Sequence, residues 1–119
     1  VNAGVIQVGQ WFNVVATYVA STKTLKIYRN GIEMGSVTGT SAGVTSPDNL
    51  SISRVGIGGI YGYFDGEIDE VAIFDKALTA DQVNFDLYQP SLPAGSNKTA
   101  DIANNPNLPT PVAWYRMGD

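Results

Sequence analysis

The amino-acid sequence predicts an all-β fold: an antiparallel β-sandwich with one short C-terminal helix. Three observations predict it. Short apolar/polar alternations of strand period recur between residues 6 and 74, about six in all. Two of them are joined by Asn30-Gly31, the strongest two-residue hairpin signal, because a type I′ turn needs positive φ at both central positions. Only one stretch, from Thr79 to Tyr88, carries helix-start signals.

Each element follows in order. Ile6-Gln7-Val8 reads as a short strand entering Gly9-Gln10. Trp11 to Val19 is apolar on both faces, as in a central strand covered on both sides or one crossing from the core to a sheltered surface. Trp11, Tyr18 and Tyr28 are accordingly expected as core or cross-strand residues. Ala20 to Lys23 is a turn. Leu25-Lys26-Ile27-Tyr28-Arg29 alternates, and Ile32 to Val37 returns after the Asn30-Gly31 turn. Thr38 to Asn49, rich in Thr, Ser and Gly, is an exposed loop. Leu50 to Gly58 alternates again, and Gly58 to Tyr63 reads as a glycine-rich loop. Phe64 leads into a strand over Glu67–Phe74, flanked by the turn pairs Asp65-Gly66 and Asp75-Lys76. Thr79 is then a helix N-cap with Gln82 three residues on, which is capping-box spacing. Leu78 and Val83 occupy the positions of a hydrophobic staple, and Pro90 stops the helix.

Composition narrows the functional classes. The 119 residues make at most one small domain, and 44% hydrophobic residues argue for a folded one. The net charge is -4 and the seven basic residues are scattered, which argues against a nucleic-acid surface. No apolar run approaches the about 20 residues of a membrane span. The chain has no Cys and no His. That removes disulfides, thiol nucleophiles, His-based triads and Cys/His zinc sites together. Any metal must be a hard cation held by oxygen.

After Tyr88 the composition changes. Gln89 to Pro111 holds all but one of the six prolines and reads as an extended linker. Pro111 to Asp119 turns apolar again around Trp114.

Gly66 to Val83 has the pattern G-x-I-D-E-V-x-I-F-x-x-A-L-T-x-x-Q-V, which resembles the C-terminal signature of LamG-like jelly-roll domains of the concanavalin A-like lectin/glucanase superfamily. Gln10 to Tyr18 resembles that family's W-x-x-V-A-x-T-Y strand, and Leu25 to Gly31 its L-x-I-Y-x-N-G hairpin. The resemblance implies a concanavalin A-like jelly roll, with residues 1–89 as its C-terminal part. It also makes Pro111–Asp119 similar to the family's opening strand, so that 90–110 links to a following or neighbouring domain. Two arrangements stay open: a slice of a tandem-repeat polypeptide, or a strand exchanged between neighbouring copies.

The resemblance also bears on chemistry. Glucanases of the superfamily carry E-x-D-x-x-E or E-x-D-x-E on a strand, and a retaining mechanism needs two carboxyl groups about 5–5.5 Å apart. Here alternation puts Glu67 and Asp69 on one face with Val71, while Glu70 points the other way. The second carboxylate is missing, so the expectation is no enzyme. In members of the superfamily an Asp on the last strand ligates structural calcium. Asp69 is the matching position and Asp119 its expected partner; the simpler reading makes Asp69 a turn carboxylate accepting backbone hydrogen bonds. Sugar binding, the family's common non-catalytic role, uses exposed aromatics. Tyr61 and Tyr63 are the candidates, against simple packing on the sandwich rim. Asn49-Leu50-Ser51 and Asn97-Lys98-Thr99 fit the N-glycosylation pattern.

The resemblance thus implies a non-catalytic adhesion module of an extracellular, cell-surface or virion-surface protein, as in bacterial surface proteins and bacteriophage structural proteins. Its partners would be glycans or neighbouring copies of the same protein. A structural spacer or decoration domain without a glycan site is one alternative. The other is a carbohydrate-binding appendage of a polysaccharide-degrading enzyme.

Overall fold

The computed structural model describes residues 1–40, 50–52, 54–57, 60–92 and 100–116; of residues 54–57, 60 and 61 it describes the backbone. Its largest sheet is β1 (Val14–Val19), β2 (Thr24–Arg29) and β3 (Ile32–Thr38), antiparallel and in that order. Asn30 and Gly31 both have positive φ (51° and 76°), as the hairpin signal requires. The Asn30 N–H donates to the Asn13 carbonyl at 2.9 Å, and the Asn13 N–H donates to Asn30 Oδ1 at 3.0 Å. The turn thereby also holds the entry to β1. A register shift at Ile27/Tyr28 marks a bulge in the β2–β3 pairing.

β4 (Arg54–Ile57) and β5 (Ile60–Tyr63) form an antiparallel hairpin. The second of these was expected as loop. Ile60 and the tyrosines are good strand formers, and pairing with β4 outweighs the glycine at 62. β6 is shorter than expected, Val71–Ile73 instead of Glu67–Phe74. Glu70 is the reason. It lies at φ 53°, a left-handed conformation that ends strand geometry, and its N–H donates to Asp69 Oδ1 at 2.9 Å. The expected facial alternation of Glu67, Asp69 and Val71 therefore does not exist.

The capping box forms as predicted. The Thr79 N–H donates to Gln82 Oε1 at 2.9 Å, and the Gln82 N–H donates to Thr79 Oγ1 at 3.2 Å. The helix beyond it, Gln82–Tyr88, is a wide π-type turn that ends with the Gln89 N–H donating to the Asn84 carbonyl. Pro90 sits in a 3₁₀ turn, Gln89–Ser91. Both staple residues are buried, Leu78 at 6% and Val83 at 0% exposure.

The core joins β2, the helix and the tail. Tyr28, Leu78, Val83, Leu87, Ala100, Ile102 and Leu108 are buried together, with Val15, Ala72, Phe74 and Trp114 packed around them. Three of the seven come from the stretch read as extended linker. Beyond the 3₁₀ turn its described part, residues 100–110, is a series of turns whose apolar side chains fill the space beside the helix. β7 (Ala113–Tyr115), read as the opening strand of another domain, pairs antiparallel with β6 of the same chain; the Val112 N–H donates to the Ile73 carbonyl at 2.8 Å.

The other face of the three-stranded sheet is only partly covered: at Arg29 the N-terminal segment reaches it, the guanidinium donating to the Val5 carbonyl at 2.9 Å and lying over Phe12. Tyr18, Leu25 and Val37 form one row across it, and Val14, Arg29 and Ile32 another. All five apolar residues of these rows are exposed. Tyr18 pairs with Leu25 as expected, but Trp11 does not enter the core: it precedes β1 and is 64% exposed.

Candidate functional site

The signature turn Gly66–Glu70 leads directly to the site. Glu70, placed by its left-handed conformation at the start of β6, extends its carboxylate toward the end of β7. Oε2 accepts the indole N–H of Trp114, and Oε1 accepts the Arg116 Nε–H at 3.4 Å. Antiparallel pairing brings these groups together, since Ala72 stands opposite Trp114 and Val71 opposite Tyr115. Trp114 and Arg116 are two residues apart and emerge on one side. The Arg116 guanidinium lies 5.0 Å from the centroid of the Trp114 ring, within cation–π range.

Beside this group lies a cleft of ≈ 310 Å³, lined by Ala100, Asp101, Ala103, Asn104, Trp114 and Arg116. Of its lining residues Ala100 is anchored in the core, next to the buried Ile102 cluster. Its polar wall is a carboxylate–amide pair. Asn104 Nδ2 donates to both oxygens of Asp101, at 3.1 and 3.0 Å, and the Asn104 N–H donates to Asp101 Oδ1 at 3.2 Å. An aromatic ring, a guanidinium and a planar polar pair thus meet around an open space. That set can stack on an apolar ring face and hydrogen-bond hydroxyl groups.

Of the residues predicted as sites, Tyr63 and Asp69 are described with their side chains. Tyr63 is 73% exposed at the end of β5, with Arg54 opposite in the hairpin register. The backbone of Tyr61 pairs with Gly56, and its side chain lies outside the described residues. Asp69 is exposed and accepts the Glu70 N–H, as in the simpler of its two readings. Asp119, its expected calcium partner, lies outside the described residues. Calcium takes six to eight oxygen ligands. Among the described residues no three acidic side chains converge to hold a metal ion.

Sequence reasoning missed Trp114, Arg116, Asp101 and Asn104 as a group. Two local signals were available: the i, i+2 spacing of Trp114 and Arg116, and the Asp-x-x-Asn spacing typical of a side-chain-capped turn. Neither shows that the two segments meet.

Among the described residues no helix is long and apolar enough to cross a membrane. No curated protein and no solved structure gives a match to this chain. A laminin G family model, described as the concanavalin A-like lectin/glucanases superfamily, matches residues 1–84, 84 of the 119 residues. With its antiparallel strands, its hairpin at Asn30-Gly31 and its capped helix after β6, the chain belongs to this superfamily as a LamG-like jelly-roll domain.

Proposed function

We propose that the chain is a non-catalytic adhesion module that binds glycans, carried on an extracellular, cell-surface or virion-surface protein. The observation that carries this reading is the family match over residues 1–84, a superfamily whose name joins lectins and glucanases. The contacts of the acidic stretch support the lectin side. Glu70 holds Trp114 and Arg116, while Asp69 accepts the backbone of the turn. Exposed Tyr63 supplies an aromatic face of the kind sugars stack on.

A glycan array probed with the purified protein tests this. Binding to at least one glycan is expected, with no release of reducing sugar from bound polysaccharides. A blank array, or hydrolysis of a bound glycan, overturns the proposal.

The exposed row Tyr18–Leu25–Val37 favours a second reading, packing against neighbouring copies. Light scattering of the wild type and of Leu25→Lys tests it. Association lost in the variant supports packing, and a wild-type monomer at high concentration removes it. Calcium at Asp69, with Asp119 as partner, is a separate proposal supported by the exposed carboxylate and by the oxygen-only ligand chemistry of the chain. It predicts a calcium-dependent rise in Tm that Asp69→Asn abolishes, and a Tm indifferent to calcium removes it.

A further inference from the structure

We propose that the cleft between Asp101–Asn104 and the end of β7 is a binding subsite for a neutral pyranose, with Trp114 as its apolar wall. The proposal rests on the glycan-binding reading above and gives it a place. That place lies outside the 1–84 match, so family membership does not assign it.

Trp114 is held before any ligand arrives. Its N–H is bonded to Glu70 and its ring lies beside the Arg116 guanidinium, which is itself bound to Glu70. A fixed indole loses little freedom on stacking, and such preorganisation raises affinity. The remaining ring surface that lines the cleft suits the C–H face of a sugar ring, which is apolar, while the ring hydroxyls point sideways. Asp101 and Asn104 stand where those hydroxyls would lie. A carboxylate offers about four lone-pair sites; Asn104 makes three contacts to Asp101, which leaves acceptor capacity beside an amide carbonyl. An acceptor pair on a planar frame fits two vicinal hydroxyl donors.

Size and charge narrow the ligand. A cleft of ≈ 310 Å³ is at the small end of ligand pockets, about 300–1,000 Å³, and suits one or two rings rather than a long chain. Among the described residues the charged groups at the cleft are the Asp101 carboxylate and the Arg116 guanidinium, with Glu70 paired to that guanidinium behind it. The excess negative charge disfavours sialic and uronic acids and favours uncharged sugars.

The test uses the fact that the chain has two tryptophans. In a Trp11→Phe background Trp114 alone reports, and its acrylamide quenching is titrated with maltose, lactose and mannobiose. Sialyllactose and digalacturonate serve as acidic probes. Asp101→Ala and Asn104→Ala change exposed side chains, with their Tm measured alongside to show that the fold is kept. The expected result is protection of Trp114 by at least one neutral disaccharide, none by the acidic probes, and a Kd raised about tenfold in either variant. Protection by the acidic probes alone overturns the proposal. So does glycan binding on the array with Trp114 quenching unchanged and both variants binding as the wild type. In that outcome the glycan-binding function survives at another surface, such as Tyr63. A blank array together with a blank titration overturns both.

Discussion

The Glu70 carboxylate accepts the indole N–H of Trp114 across 44 positions of sequence. One residue thereby does two jobs. Its left-handed backbone ends the acidic turn and starts β6, and its side chain ties β6 to the last strand at a partly buried site. The same carboxylate holds Arg116 beside the indole, so the wall of the cleft depends on a residue of the family signature.

Glu70→Ala removes a hydrogen bond to a charged acceptor and leaves the Trp114 N–H without it. A loss of about 1.5–3 kcal/mol is expected, read from urea unfolding, with Trp114 emission shifted to the red. Unchanged stability and emission would mean that the indole does not depend on this carboxylate.

Gly31→Ala is expected to be costly for two separate reasons. The position has φ 76°, and a Cβ there would lie 2.8 Å from Asn84 Oδ1 and 2.9 Å from Tyr88 Cδ1. The hairpin turn and the helix are in contact at this glycine. More than about 1 kcal/mol should be lost, and Asn84→Ala in the same chain should recover part of it in a double-mutant cycle.

Thr79→Ala opens the capping box and should cost about 1 kcal/mol. Thr79→Ser keeps the hydroxyl acceptor and should cost much less. Thermal unfolding of the two variants side by side checks the difference.

Ile102→Ala and Leu108→Ala separate a packed tail from an extended linker. At 6% and 8% exposure, each truncation should cost about 2–5 kcal/mol. In a solvated linker both would be nearly silent, and equal denaturation midpoints for wild type and variants would restore the linker.

Lys26 and Glu33 make a 2.8 Å ion pair across β2 and β3. The hydrogen bond that Lys26 donates to Glu33, then the charge of that carboxylate, raise the Lys26 pKa above its ordinary 10.5. A raised pKa in a base means that the pair contributes fully below 10.5 and loses its contribution as pH climbs through the folded value. Tm should therefore not respond to this pair between about pH 7 and 9. Above that window the wild type should lose more than Glu33→Gln does, by a small margin because the pair is exposed.

The sequence by itself determined what is settled within a few residues. Asn30-Gly31 specifies its turn because both φ values are positive there. Thr79, Gln82, Leu78 and Val83 specify the helix start because cap and staple act over at most five positions. The family signature is legible for the same reason, being a run of such local devices from Gly66 to Val83. Tertiary structure decided the rest. Nothing local tells that Ile102 and Leu108, set among prolines and asparagines, find a hydrophobic surface beside Leu87, or that Trp11 does not. The length of β6 turns on a left-handed glutamate that alternation alone counts as strand. The cleft exists only because β7 returns to β6 and sets Trp114 and Arg116 against Glu70, with the Asp101–Asn104 turn beside them. Contacts of that range depend on which buried surfaces close the loop between them, and the chain order of the residues does not encode this locally.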